Sequence, residues 1–300
     1  MQFLDKVICG DCLEVMRQIP DNTVHLAVTS PPYNLGIGYD VHNDQLVYEQ
    51  YLEWMDKIWL ETRRVLVSGG RFALNIAPTS IKAFRPIHHD FANQLRAMGM
   101  IMRTEIIWYK QTMRRRTAWG SWKSPANPHI VPSWEYVLLF SKDSWTLDGG
   151  GEADITSDEF MRYSDGFWYI PPESQRRGHP TPFPEELIYR LIKFYTYKGS
   201  VVLDMFGGTG TVAVVAYKTE RHFIHVDVSP KYCQIAEERL ETARLLREMP
   251  LPVGRTGKKV RVGDLFASRN GKASSRHKTG KAQPARLLDK RGSYDAQAPR

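Results

Sequence analysis

Three hundred residues, 42% of them hydrophobic and 11% aromatic, can bury a sizeable core in one large domain or two small ones, which excludes a wholly disordered chain. No apolar run approaches the ~18 to 20 residues of a membrane span, and Met1-Gln2-Phe3-Leu4-Asp5 lacks the charged-then-apolar order of a secretory leader. A cytoplasmic protein with no membrane partner is therefore expected. Three cysteines cannot build a disulfide framework, and the net charge of +8 is concentrated in one place: residues 254–300 carry 13 Lys and Arg against 3 Asp, leaving residues 1–253 slightly acidic with 28 against 30.

Lys6-Val7-Ile8-Cys9 reads as a short strand ending at Gly10-Asp11, followed by a short helix from Cys12 to Gln18. Cys9-Gly10-Asp11-Cys12 has C-x-x-C spacing, but no second pair or nearby His completes a metal site, so small residues at a strand end are the expectation and no metal is assigned. The apolar run Val24 to Val28 then delivers Thr29-Ser30-Pro31-Pro32-Tyr33-Asn34. Two prolines remove two backbone donors and fix φ, so the chain must leave the sheet in one rigid loop, at the strand edge where open α/β sheets place ligands. Ser30, the free carbonyls around Pro31, and the ring of Tyr33 form a set that can accept hydrogen bonds from an exocyclic amino group while an aromatic face stacks on its ring.

Asn34 to Asp44 is polar and glycine-containing and reads as a loop beside that site. From Val47, the positions Tyr51, Met55, Ile58, Trp59 and Thr62 follow the helical period; this helix reads as scaffold, its aromatics in the core and its end at Gly69-Gly70. A strand is expected over Arg71 to Ala77, a helix over Ile81 to Met98 interrupted near Pro86, and strands over Arg103 to Tyr109 and Trp134 to Phe140 that pair with each other. Between the last two, the segment 111–132 mixes Arg114, Arg115, Arg116 and Lys123 with Trp119 and Trp122; cations among indoles suit phosphates and bases, and tryptophans pinned in the core are the other reading. The polar stretch 141–178 is too long for a connector and reads as an inserted recognition or cover element.

After Pro184, with Glu185 and Glu186 at its start, comes a helix whose apolar face is Leu187, Ile188, Leu191 and Ile192. Val201 to Leu203 then reads as a buried strand ending in Asp204, and Phe206-Gly207-Gly208-Thr209-Gly210 turns into a helix. Gly208 and Gly210 allow close backbone approach to a ligand and close helix packing, and a further strand, His222 to Val226, ends in Asp227, placed to hold ribose hydroxyls. An acid directly before the glycines disfavours a pyrophosphate, and hence a nicotinamide oxidoreductase, but suits the cationic group of S-adenosyl-L-methionine. After Asp227 only one patterned helix remains, Pro230 to about Glu248, so the remaining strands of the sheet must lie upstream.

Taken in order, Gly10-Asp11-Cys12, the Ser-Pro-Pro-Tyr stretch, Glu105 to Lys110, Glu135 to Phe140, His179 to Leu187, and Asp204 to Gly210 with Asp227 resemble the amino-group DNA methyltransferases of the circularly permuted class, the N4-cytosine/N6-adenine family, over residues 5–247. The resemblance implies an α/β, Rossmann-like S-adenosylmethionine-dependent methyltransferase fold with a seven-stranded, mostly parallel sheet, and seven strand-like runs can be counted. A catalytic domain is expected over 1–250, with DNA-recognition insertions near 111–132 and 141–178, and the basic segment 251–300, poor in apolar residues, is expected to be a disordered tail. Asp11 would lie near the adenine of the cofactor, Thr181, Pro182, Phe183 and Phe206 would border its pocket, and Ser30, Pro31, Pro32 and Tyr33 would hold a base flipped out of double-stranded DNA. Ser rather than Asp at the first position of the catalytic motif is similar to the N4-cytosine branch; N6 of adenine is the alternative acceptor, and a catalytically silent DNA-binding protein a more distant one. A cognate restriction endonuclease and a homodimer are compatible with the resemblance as partners, and the sequence specifies neither.

Overall fold

The computed structural model describes residues 2–34, 36, 40–41, 45–78, 84–110, 120–130, 132–174 and 182–248. Thr181, Trp119, the Arg114 to Arg116 run and the basic tail lie outside them. None of the described helices is long and apolar enough to cross a membrane.

Eight strands are described: β1 (Lys6–Cys9), β2 (Val24–Thr29), β3 (Leu66–Ile76), β4 (Met100–Tyr109), β5 (Trp134–Lys142), β6 (Phe167–Tyr169), β7 (Val201–Asp204) and β8 (His222–Asp227). They form one sheet in the order β1-β8-β7-β2-β3-β5-β4-β6. Among these strands only the β3–β5 and β4–β5 pairs are antiparallel. Because β5 runs backwards, its first residues, Trp134 and Glu135, lie at the same edge as the carboxyl ends of β2, β3 and β4. That reversal later brings Glu135 to the site.

Helices cover both faces: α1 (Cys12–Met16), α2 (Tyr48–Val65) and α3 (Ile87–Ala97) on one, and α5 (Glu185–Tyr195), α6 (Thr211–Lys218) and α7 (Pro230–Glu248) on the other, with the short α4 (Ser157–Tyr163) beside α5. Met55, Ile58, Trp59, Phe91 and Leu95 fill the first layer, and Leu187, Ile188, Leu191, Val212 and Ala216 the second. With both faces covered, β2 is buried almost throughout instead of alternating.

The expected sheet of seven strands gains an eighth. Phe167 to Tyr169 pairs in parallel with Ile107 to Tyr109, but three consecutive aromatic residues give no period-two signal to read. Helix α4 lies in the same stretch, opened by a reciprocal capping box between Thr156 and Glu159. Helix α2 ends at Val65, not at Gly69-Gly70; β3 begins at once, and the glycines lie within it. Gly69 adopts φ +67°, and a Cβ there would stand 1.7 Å from the Thr146 carbonyl oxygen, so only glycine fits this irregular crossing. Pro86 is the N-cap of α3, and residues 81–83 of the expected helix lie outside the described ones.

The inserted stretch is tied to the core by charge. Arg221, with its side chain fully buried, donates to both oxygens of Asp154 at 2.7 and 2.8 Å, and Lys193 Nζ lies 2.9 Å from Asp154 Oδ2. Burial alone would raise the Asp154 carboxyl, but the bonds from Arg221 and Lys193 hold it below its ordinary value.

Candidate active site

The chain leaves β7 for α6 on one face of the sheet and β2 for α2 on the other, so the crevice between the carboxyl ends of these adjacent strands is the topological switch point. A cleft opens there, enclosing about 1140 Å³ with its mouth included. Asp11, Ser30, Pro32, Pro182, Phe183, Phe206, Gly208 and Asp227, all picked out from the sequence, line it together. Among the described residues its walls hold three carboxylates, those of Asp11, Asp40 and Asp227, and no Lys or Arg.

Asp227 ends β8 and is held by backbone donors: its Oδ2 accepts from Gly208 N at 2.7 Å and its Oδ1 from Ser229 N at 2.8 Å. Burial pushes its carboxyl up, and these two N–H groups oppose the shift. Each oxygen keeps acceptor capacity for a ligand hydroxyl. Asp11 serves as the N-cap of α1, its Oδ1 accepting from Leu13 N and Glu14 N at 2.9 and 3.1 Å.

Asp204 lies beneath the glycine turn, not on the cleft wall. It is 2% exposed and accepts from Thr29 Oγ1 at 2.8 Å and Phe206 N at 3.1 Å. The glycines divide their work. Gly208 (φ +51°) lines the cleft, whereas Gly210 (φ +81°) faces α7, where a Cβ would come within 2.7 Å of the Ala236 Cβ.

Across the cleft, Ser30 and Pro32 face the same space. Ser30 Oγ lies 2.9 Å from Tyr33 Oη, and the Pro32 carbonyl accepts from Tyr51 Oη at 2.6 Å. Pro31 and Tyr33 do not line the cleft; Pro31 is buried, and Tyr33 packs behind Ser30. Asn34 closes the loop by exchanging two hydrogen bonds with the Leu46 backbone at 2.7 and 2.8 Å.

Several residues of the cleft were not legible. Trp54 of α2 lines it and meets Phe206 edge-on at 5.8 Å between ring centroids. The helix reads as scaffold along Tyr51, Met55, Ile58 and Thr62, and Trp54 lies off that stripe, the one signal available in the sequence. Asp40 reaches Ser229 Oγ at 2.7 Å from a loop with no periodicity. Cys12 also lines the cleft as a buried thiol, pushed up to about 12 chiefly by burial, which makes it a poor nucleophile or metal ligand. Among the described residues no three His, Cys, Asp or Glu side chains converge as a metal site. Trp122 is 71% exposed beside Lys123, so of the two readings of that tryptophan the buried one does not hold.

Residues 24–238 match the N6/N4 DNA methylase family. The Type II methyltransferase M.MjaVI of Methanocaldococcus jannaschii is 39% identical over 172 residues, which are 57% of this chain and 87% of the relative. Among solved structures, a DNA modification methylase of Thermus thermophilus, in complex with S-adenosyl-L-methionine, superposes with a TM-score of 0.64 at 30% identity, covering 79% of this chain and 93% of its own. The PvuII DNA methyltransferase, cytosine-N4-specific, shares the fold, with a TM-score of 0.62 at 18% identity over 80% of this chain and 90% of its own. A family match over most of the chain, and a relative covered over most of its length, place this chain in the N6/N4 DNA methylase family.

Proposed function

We propose that this DNA methyltransferase transfers the methyl group of S-adenosyl-L-methionine to the exocyclic N4 of cytosine, after the base has been flipped out of the duplex. The methyl donor is S-adenosyl-L-methionine, and the wall of the cleft suits it: three carboxylates, with no Lys or Arg among the described lining residues, favour a ligand that carries an ammonium and a sulfonium and no phosphate. Asp227 is placed for the ribose hydroxyls, and Phe206, Trp54, Pro182 and Phe183 supply apolar contact for the purine. The cofactor brings a methyl group already activated on sulfur, so the protein has to position and activate the nitrogen.

The observation that carries the assignment is Ser30, a neutral hydroxyl at the end of β2 facing the cofactor cleft. The lone pair of an exocyclic amino group is conjugated into the ring and attacks poorly. Hydrogen bonds from that group to Ser30 Oγ and to a carbonyl at the Pro31 turn draw the nitrogen toward tetrahedral geometry and localise the pair, a gain realised mainly in the transition state. No covalent intermediate with the enzyme is required. Ser where adenine-directed members more often carry Asp supports cytosine as the base.

The test is nucleoside mass spectrometry of unmethylated DNA after incubation with the protein and labelled cofactor. Label in N4-methylcytosine is expected. Label in N6-methyladenine overturns the choice of base and keeps the chemistry, and DNA binding without any label overturns the reading altogether.

A further inference from the structure

Ser30 does not stand alone at the end of β2. The Tyr33 phenol beside it lies 3.3 Å from Glu135 Oε2, and Asn75 Nδ2 reaches the Tyr33 oxygen at 3.1 Å and the same carboxylate oxygen at 2.6 Å. Lys110 pairs with the other oxygen, Glu135 Oε1. Four strands thus meet at one buried carboxylate: Ser30 follows β2, Asn75 is on β3, Glu135 on β5, and Lys110 follows β4.

The direction of every bond in this chain follows from valence. Lys110 has only hydrogens to give, and Asn75 must turn its amide nitrogen to Glu135, because its oxygen would face a carboxylate oxygen. Tyr33 has one hydrogen, and its direct neighbour Glu135 is an acceptor, so the hydrogen goes there. The Tyr33 oxygen is then an acceptor toward both Asn75 and Ser30. Ser30 consequently gives its own hydrogen to Tyr33 and turns its lone pairs to the cleft. The opposite polarity would defeat the chemistry, since a hydroxyl hydrogen aimed at the amino nitrogen would tie up the pair that must attack.

We propose that Glu135, acting through Tyr33, is the positioning residue that fixes Ser30 as an acceptor for the target amino group, and that it takes up the proton which this group releases on methylation. The inference rests on the role given to Ser30 above and is independent of whether the base is cytosine or adenine. As the new N–C bond forms, the C–S bond breaks and its electron pair stays on sulfur, leaving the nitrogen positively charged with one hydrogen too many. That proton passes to Ser30 Oγ while the Ser30 hydrogen moves to the Tyr33 oxygen and the Tyr33 hydrogen to Glu135 Oε2. Ser30 and Tyr33 end as neutral hydroxyls, and the carboxylate ends neutral beside Lys110, from which the proton is lost to solvent before the next turnover.

Two variants and their combination test this. Tyr33→Phe removes only the hydroxyl and leaves Glu135, Asn75 and Lys110 in place, and Glu135→Gln removes the terminal charge. Each is expected to slow single-turnover methylation at saturating cofactor by about 100-fold while cofactor affinity stays within about twofold. Because both cut one chain, the double variant is expected to be no slower than the slower single variant. Losses that multiply in the double variant, or a Tyr33→Phe rate within about threefold of the parent, would overturn the proposal. If Glu135→Gln lowers the melting temperature and cofactor affinity together, its rate is set aside and the Tyr33→Phe rate decides. A parent protein that methylates no base would instead sink the reading of the reaction, so the two failures are distinct.

Discussion

The two walls of the cleft are held by different means. On the side proposed to hold the cofactor, backbone N–H groups satisfy Asp11 and Asp227, the latter through Gly208 and Ser229, 19 and 2 residues away, while Asp40 meets the Ser229 hydroxyl; beneath that wall, Asp204 accepts from Phe206 N and the Thr29 hydroxyl. On the side proposed for the target base, Ser30 and Tyr33 depend on side chains far along the chain, Asn75 and Glu135 lying 42 and 102 residues from Tyr33. A wall made of backbone dipoles presents the same groups whatever the neighbouring side chains do. A wall made of cross-strand side chains can be cut at a single atom. Substitutions should therefore separate cleanly, with cofactor affinity changing on one side and chemistry on the other.

The largest separation is expected at Ser30. Ser30→Ala removes the proposed acceptor and should cost about 100- to 1,000-fold in turnover, roughly 3 to 4 kcal/mol, by analogy with the loss of one preorganised hydrogen-bonding group in other enzymes. Cofactor affinity, measured by calorimetry, should stay nearly unchanged. Equal loss of both would mean that the two walls are not separable.

Asp204 sharpens the contrast from the cofactor side. Burial pushes its carboxyl up to about 7 from an ordinary 3.8, against the bonds from Thr29 and Phe206. Between those values the unfolded chain gives up a proton that the folded chain keeps, so this residue's contribution to stability is fully present at acid pH and is lost as pH rises toward about 7. Asp204→Asn keeps an acceptor oxygen and abolishes the titration. It should raise stability by on the order of 2 kcal/mol in urea unfolding at pH 8, and by less at pH 5. At pH 8, where the carboxylate is charged, cofactor binding should weaken, because a negative charge beneath the turn is lost; stabilisation with unchanged affinity at that pH would remove Asp204 from the cofactor machinery.

A smaller effect is expected at Trp54, whose ring both lines the cleft and meets Phe206 edge-on. Trp54→Ala should weaken cofactor binding by about 1 to 2 kcal/mol, roughly 10-fold, and leave the single-turnover rate at saturating cofactor near the parent value. A fall in the saturated rate would show that the ring also shapes the target side.

The same division explains what could be read in the sequence. Asp204, Gly208, Gly210 and Asp227 announce themselves because strand, acid and glycine turn are consecutive, and the physics that selects them acts over a few residues. The rigid exit from the sheet at Ser30 to Tyr33 was legible for the same reason, since two prolines follow an apolar run, but only Ser30 and Pro32 of the four line the cleft. Asn75 was legible only as part of a strand, and Lys110 and Glu135 only as members of two motifs of the resemblance, with no role attached to either. Their meeting depends on β5 running antiparallel between β3 and β4; the β4–β5 pair was expected, but nothing local in the chain records that β3, which carries Asn75, lies on the other side of β5. The eighth strand escaped for a different reason: Phe167 to Tyr169 is too short and too uniformly aromatic to carry a period.

The smallest expected effect is the one that tests whether the walls are independent. Tyr51 is buried in the core, its ring centroid 5.9 Å from that of Phe91 and 6.3 Å from that of Trp54, and its hydroxyl donates to the Pro32 carbonyl at 2.6 Å. One residue therefore touches the loop of the target side and the aromatic wall of the cofactor side. Tyr51→Phe keeps the ring and its packing and removes only the donor, a net loss of about 1 kcal/mol. If the loop alone feels the change, single-turnover methylation slows by about fivefold and calorimetric cofactor affinity does not move. If affinity falls by the same factor, the Pro32 turn positions Trp54 as well as Ser30, and the two walls are one mechanical unit joined through α2.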